Sequence, residues 1–404
     1  MINIGLLGLG TVGGGVYDII STRENLIKKL TGEKVRIKKV LVKDLNKERD
    51  INIKRDLLTI NPNDILEDPE INLVVEVLNE KEDAYLYIKS AIKNKKHVIT
   101  ANKAVVAWKM AELIRLAEEN NRAFLFEASV GGGVPIIKPL KEYTNIDKIT
   151  EIQGILNGTT NYILTQMFDR DLNFIDALKE AQALGYAELN PTDDIEGYDS
   201  LRKLYILSTI GFQRNINMKS IRCQGITGIT LDDIQMFKKI DYVPKLLAKS
   251  QHLDDRISIS VEPVLVRKDS MYSNVKDAFN IISIKGNVIG ELKFYGEGAG
   301  RNPTAYSIFT DILDIVNSSY NNNRVYIDEN EEDEYELFSG KYYLRVNVKE
   351  EGSITNVLNV LDKNKLKFKV VDQSGNLFII TDYTEGEIVS KIINIINRDL
   401  NKEY

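Results

Sequence analysis

The chain opens with a short apolar run, Ile2 to Leu7, followed at once by glycines at Gly8, Gly10 and Gly13 and then by a helical stretch to about Leu30. An unbroken apolar run of this length suits a strand buried on both faces of a parallel sheet. The glycines are spaced G-x-G-x-x-G, and in a strand–turn–helix setting each has its own task. Gly8 permits the tight turn, Gly10 lets the backbone approach a pyrophosphate, and Gly13 lets the helix pack closely on the strand, with the helix N-terminus facing the anion. The spacing alone is a weak signal. Set between a buried strand and a helix, it predicts dinucleotide binding.

The segments that follow fit the same plan. Val35 to Val42 reads as the second strand and ends at Lys43 and Asp44, where a ribose is read. An acid there favours NAD and a base favours the additional phosphate of NADP, so both cofactors stay open. Leu73–Leu78 and His97–Thr100 are further strands, separated by the helix Ala84–Lys93. This alternation predicts an α/β fold with a Rossmann-type, doubly wound parallel sheet. Ala101-Asn102-Lys103 then lies at a strand's C-terminal end, where ligands of such sheets bind. Phe124–Phe126 leads into a glycine loop, Glu127 to Pro135, whose carbonyls can turn toward an ion or serve a hinge. Thr150–Leu156 reads as a strand, and Asn157-Gly158-Thr159-Thr160-Asn161 caps the helix after it, offering donors to a carboxylate.

Gly185 to Lys203 is the stretch richest in chemistry. It holds Glu188, Asp193, Asp194, Glu196 and Asp199, then Arg202 and Lys203. Its first half is a loop, punctuated by Gly185, Asn190 and Pro191. Its second half has helical spacing, which puts Asp199 and Lys203 four residues apart on one face. By itself the pair reads as an exposed ion pair worth a few tenths of a kcal/mol. A lysine held beside carboxylates also suits a site that binds an amino acid and moves a proton.

Leu231–Lys249 reads as mostly helical, Ile257–Leu265 and Phe279–Tyr295 as antiparallel strands, and Ala305, Ile308, Phe309 and Ile312 as a helical stripe that packs back on the first domain. Asn321–Glu336 is acidic and reads as a linker. Beyond it the order β-α-β-β-α resembles half of a ferredoxin-like sandwich.

Composition narrows the function classes. A net charge of −6 over 404 residues argues against nucleic acid as partner. Cys223 is the only cysteine, and His97 and His252 are the only histidines, so a cysteine-rich metal site or a Ser-His triad is not expected. Proton transfer falls to Lys, Asp, Glu or Tyr. No apolar stretch reaches the ~18 residues of a membrane span, and no signal peptide is expected, which predicts a cytoplasmic protein.

Six segments in order, GLLGLGTVGGGV, HVITANKAVVA, FEASVGGGVPIIKPL, ILNGTTNYIL, LKEAQALGYAELNPTDDIEGYDSLRKL and FYGEGAGRNPTA, resemble the homoserine dehydrogenase family over nearly the whole chain. The C-terminal module resembles the ACT domain, a small amino-acid-sensing unit. The resemblance implies reduction of L-aspartate 4-semialdehyde to L-homoserine with NAD(P)H, on the route to threonine and methionine. It implies a nucleotide-binding domain at 1–135 with 300–318 packing on it, a substrate and dimerisation domain at 136–300, an acidic linker at 319–339 and an ACT-like regulatory domain at 340–404. It places Leu9, Thr11, Val12 and Gly300 at the cofactor, with Gly8, Gly10, Gly13 and Lys43 as read above, and Lys103 between nicotinamide and substrate. Lys203 becomes the proton donor. Glu188, Asp199, Asp194, Tyr186, Gly158 and Thr159 become substrate contacts, and Glu127, Val130, Gly132 and Val134 the ligands of a monovalent cation (sodium), largely through backbone oxygens. A homodimer or homotetramer and threonine as effector are implied as well. The chain departs from the family at Asn79-Glu80, where a Gly-Gly pair is usual, and at Glu351, where a proline is usual. Two other readings stay open: a sensing protein that keeps the fold without catalysis, and a dehydrogenase acting on another amino acid.

Overall fold

The computed structural model describes residues 1–404 except 255, 323–324, 333–334, 348–350, 374–375 and 402–404. It divides into two compact units: Met1–Gly158 with Tyr198–Met218 and Ala278–Glu332, and Thr159–Gly197 with Lys219–Asp277 and Asp333–Tyr404.

In the first unit, β1 (Ile2–Leu7), β2 (Val35–Leu41), β3 (Leu58–Thr59), β4 (Leu73–Glu76), β5 (His97–Thr100) and β6 (Phe124–Leu125) form a parallel sheet in the order β3-β2-β1-β4-β5-β6. The helices α1 (Thr11–Thr22), α2 (Glu24–Thr31), α3 (Asn63–Leu66), α4 (Lys81–Lys93) and α5 (Lys103–Glu119) lie on the connections between these strands. The winding reverses between β1 and β4, which opens a crevice outside their C-terminal ends. Ile4, Leu6, Val35, Val40, Leu73, Val75 and Ile99 are buried in its core, so the expected doubly wound sheet is what these apolar strands build. The helix Arg301–Val316 enters the same core through Ala305, Ile308, Ile312 and Ile315. It lies close to α1, since a Cβ at Gly15 would stand 2.9 Å from that of Ala305. Arg301 ion-pairs with Asp18.

Three antiparallel strands, Ile149–Ile155, Phe279–Gly286 and Gly290–Glu297, belong to the same unit. Asp328–Glu332 pairs in parallel with Arg214–Ile216. Part of the stretch read as an acidic linker is therefore strand, because backbone pairing satisfies its N–H and C=O groups whatever the side chains. Residues 323–324 and 333–334 of that stretch lie outside the described residues.

In the second unit the helix Leu231–Lys239 ends well before Lys249, and Tyr242–Leu253 is instead a strand paired with Arg256–Arg267. Pro244 explains the correction, since a proline inside a helix removes a hydrogen bond and clashes with the preceding turn. Tyr343–Val346, Leu377–Thr381 and Phe368–Asp372 form a small antiparallel sheet backed by the helices Glu351–Lys363 and Gly386–Asn401. Val357, Leu361, Leu377, Ile379 and Ile392 fill its core. The sheet is tied to the helix Leu231–Lys239. Asp233 caps that helix, accepting from Thr230 N at 2.8 Å, and the same carboxylate ion-pairs with Arg345 and accepts from the Tyr343 hydroxyl at 2.8 Å. Arg345 also donates to Thr230 Oγ1 at 2.8 Å and Gly228 O at 3.0 Å. Among the described residues no helix is long and apolar enough to cross a membrane.

Two expectations follow from these packed charges. Arg345→Ala removes the cationic partner of a 4% exposed Asp233 and should lower stability by about 1–3 kcal/mol, read from a denaturant midpoint. An unchanged midpoint would show that the C-terminal sheet gains nothing from this contact. Glu76, the last residue of β4, is fully buried, and burial outweighs its hydrogen bonds from Thr100 and Leu78 to raise its pKa from 4.5 to about 7. Between those values the folded state binds more protons than the unfolded chain, so stability falls as pH rises. The stability of Glu76→Gln relative to wild type should therefore grow by about 3 kcal/mol from pH 4.5 to pH 7. A difference independent of pH would show that this carboxyl titrates normally.

Candidate active site

At the crevice, Gly8 has φ +107°, and a Cβ there would lie 3.0 Å from Val77 O. A Cβ at Gly13 would come within 2.2 Å of Gly8 O, whereas nothing lies within 4 Å of the corresponding point at Gly10. The turn is thus closed where the helix meets the strand and open where a pyrophosphate would approach. Gly10 caps α1 without a side-chain hydrogen bond, and the first turn carries no acid. The N–H groups of Thr11 and Val12 therefore belong to a helix end suited to an anion. These residues fit a dinucleotide. Gly300, at φ +121°, caps the helix Arg301–Val316. Lys43 is held 2.5 Å from Glu80, and Asp44 accepts from Asn46 N at 2.7 Å.

On the helix Tyr198–Phe212, Asp199 and Lys203 stand one turn apart and are only 4% and 9% exposed, so the bland reading of a solvated surface pair does not hold. Lys203 Nζ lies 2.7 Å from Asp199 Oδ2 and donates to Leu156 O at 2.7 Å. Asn157 Nδ2 donates to the same Oδ2 at 2.9 Å. Lys103 Nζ, from the first residue of α5, lies 3.0 Å from Asp199 Oδ1. Burial alone would raise the Asp199 pKa, but the charges of Lys203 and Lys103 and the Asn157 hydrogen bond hold it below the usual carboxylate range. Both oxygens of Asp199 are thus engaged within the chain. Its geometry holds two lysines in place.

In the second unit, Thr159 Oγ1 lies 2.6 Å from Tyr186 O and 3.2 Å from Asp194 Oδ2, bringing three of the expected substrate contacts together. Glu188 is exposed on the following loop, where its carbonyl accepts from Gln182 Nε2 at 3.0 Å. Gly158, in the first unit, sits where a Cβ would meet Ala278 O at 2.8 Å.

In the glycine loop the Glu127 side chain serves the backbone. Its carboxylate accepts from Ile136 N at 2.6 Å, Ile137 N at 2.9 Å and Lys138 N at 2.7 Å, capping the helix Ile137–Thr144. A side chain so engaged is not turned to a cation, and burial raises its pKa despite those donors. Gly131 and Gly132 have φ +76° and +56°, which reorients the local carbonyls, and Gly132 O accepts from Ser307 Oγ at 2.6 Å. Val130 and Val134 are buried beside them. Among the described residues no cluster of three or more His, Cys, Asp or Glu could hold a metal.

Sequence reasoning missed Glu76 and Thr100 and their link to Asn102. Glu76 accepts from Thr100 Oγ1 at 2.5 Å and Leu78 N at 2.6 Å, while Asn102 donates from its backbone to Thr100 Oγ1 at 2.9 Å and from Nδ2 to Leu78 O at 3.1 Å. The available signal was a glutamate inside the otherwise apolar run Leu73–Leu78.

Comparison with known proteins identifies the family. The model of the homoserine dehydrogenase NAD binding domain matches residues 8–127, and that of homoserine dehydrogenase itself matches residues 135–313. The chain is 37% identical over 411 residues to the homoserine dehydrogenase of Bacillus subtilis (strain 168), covering 98% of this chain and 95% of that protein. A homoserine dehydrogenase structure from Thiobacillus denitrificans superposes with a TM-score of 0.89 at 34% identity, covering 98% of this chain and 95% of the other. A hyperthermophilic archaeal homoserine dehydrogenase in complex with NADPH superposes with a TM-score of 0.65 at 27% identity, over 78% of this chain and 97% of that one. With both of its family segments matched and relatives aligned along nearly its full length, the chain belongs to the homoserine dehydrogenase family.

Proposed function

We propose that the protein interconverts L-aspartate 4-semialdehyde and L-homoserine, with Lys203 as proton donor and Lys103 as a neighbouring cationic contact. It is an NAD(P)-dependent oxidoreductase acting on a CH–OH group. The observation that carries the assignment of roles is the buried Asp199 between two ammonium groups. When bound, the nicotinamide supplies the hydride. An aldehyde that gains a hydride becomes an alkoxide and needs a proton in or near the transition state. Two of the three Lys203 N–H groups point at Leu156 O and Asp199 Oδ2, which aims the third. Asp199 remains ionised and keeps both lysines in register. Glu188 is assigned to the substrate ammonium by the GYAE motif, with Thr159, Tyr186 and Asp194 beside it in that assignment.

A sodium ion held by the carbonyls of Glu127, Val130, Gly132 and Val134 is supported by the positive φ of Gly131 and Gly132. It would order the loop, and no chemical step passes through it. An ACT-like role for the C-terminal sheet, with threonine as effector, rests on its β-α-β-β-α order, and a dimer rests on the family resemblance.

The assay is nicotinamide absorbance with homoserine and each oxidised cofactor. Lys203→Ala should lower turnover by about 10²- to 10⁴-fold with cofactor binding near wild type. Normal turnover would remove Lys203 from the mechanism and make Lys103 the next candidate. Cofactor choice has its own test, because Glu80 neutralises the one cation expected to read a 2′-phosphate. Lys43→Ala should raise KM for NADPH more than for NADH, and Glu80→Gln should shift kcat/KM several-fold toward NADPH. Equal effects on both cofactors would show that Lys43 does not read the phosphate.

A further inference from the structure

We propose that Glu76 is a positioning residue for the reaction: it closes a ring of hydrogen bonds that fixes the first turn of α5, and with it Lys103, against the loop that follows β4. The inference rests on the assignment of Lys103 to the active site.

The ring has a defined polarity. Thr100 has one hydroxyl proton, and it goes to Glu76 Oε2 at 2.5 Å. The Thr100 oxygen is then the acceptor for Asn102 N at 2.9 Å. Asn102 Nδ2 crosses to Leu78 O at 3.1 Å, and Leu78 N returns to Glu76 Oε1 at 2.6 Å. Only a group with two acceptor oxygens closes the circuit without reversing a joint. The strands alone do not do this. Glu76 and Thr100 are partners across the β4–β5 pairing, but Leu78 and Asn102 lie beyond the strand ends, where the ladder no longer holds the chain.

The ring acts on both sides of the crevice. Asn102 also caps α5, its Oδ1 accepting from Val105 N at 3.2 Å. Lys103 is the next residue, and its ammonium lies 3.0 Å from Asp199 Oδ1. On the other side, Val77 N donates to Leu7 O at 3.0 Å, and Val77 O borders the turn at Gly8. A carboxylate with no exposed surface is an expensive way to end a buried strand, since a valine or leucine would fill the space without a desolvation penalty. Its position is explained by the two loops it joins. A rotation of the first turn of α5 would swing Lys103 away from Asp199, and a misplacement of about 1 Å can slow a reaction about 10²-fold.

The experiment compares Glu76→Gln, Thr100→Val, Thr100→Ser and Lys103→Ala, with Thr100→Val also combined with Lys103→Ala. Turnover and KM are measured with homoserine and NAD(P)+, alongside melting temperature. Glu76→Gln reverses the polarity at one joint and Thr100→Val deletes it, so each should lower kcat about 10- to 100-fold while KM for the cofactor changes little. Thr100→Ser restores the hydroxyl and most of the rate. In the Lys103→Ala background, Thr100→Val should reduce kcat by less than about twofold more, because the residue it positions is gone. Should Thr100→Val fail to fold, Glu76→Gln takes its place in the same cycle. Folded variants with wild-type kcat, or losses that multiply fully with Lys103→Ala, overturn the proposal. Wild-type turnover in Lys103→Ala alone would instead remove Lys103 from the reaction and, with it, the purpose assigned to the ring.

Discussion

A carboxylate buried between two ammonium groups holds the site of the first unit together. Asp199 is 4% exposed, and taking a lone carboxylate out of water would favour its neutral form. Lys103 and Lys203, each within hydrogen-bonding distance of a different oxygen, reverse that preference, and Asn157 adds a neutral donor. The dependence is mutual. Without Asp199 the 9% exposed Lys203 would lose its counter-charge, and two like charges would be left without the group that bridges them. One side chain therefore joins α5, Asn157 just beyond the strand Ile149–Ile155 and the helix Tyr198–Phe212, elements that lie far apart in the chain.

The parallel sheet makes that meeting possible. Its strands end together, so the turns after β1, β4 and β5 emerge on one edge where the winding reverses. The glycine turn leaves the α1 amides uncovered, while the 101–103 turn starts α5 with a lysine. Small backbone spacings matter here because both turns are short and each borders the segment after β4. Glu76 sits at their junction, and its fully buried carboxyl links the 77–80 loop to Asn102 through Thr100.

Elsewhere, charged groups serve as caps and clamps. The Glu127 carboxylate satisfies three N–H groups at the start of a helix, and Asp233 does comparable work for the helix Leu231–Lys239 while receiving Arg345 and Tyr343. Helix starts carry orphan donors, and a carboxylate placed there is favoured by both hydrogen bonding and the helix dipole. In each case the same acid read without its neighbours looks available for a ligand.

How far the sequence reached follows the range of each interaction. The strand–glycine–helix opening, the α/β alternation and the shared face of Asp199 and Lys203 were legible because turn geometry and the 3.6-residue period act within a few residues. The fate of Tyr242–Leu253 was ambiguous, since its apolar spacing suits a buried helix or a strand and Pro244 was the only local arbiter. Burial of the Asp199–Lys203 pair, the arrival of Lys103 and the ring around Glu76 were decided by tertiary structure alone. Each joins groups brought together only when the sheet closes and its loops converge. No periodicity along the chain records which donor a buried carboxylate will meet, because that is set by the folded positions of distant backbone and not by the spacing of residues around it.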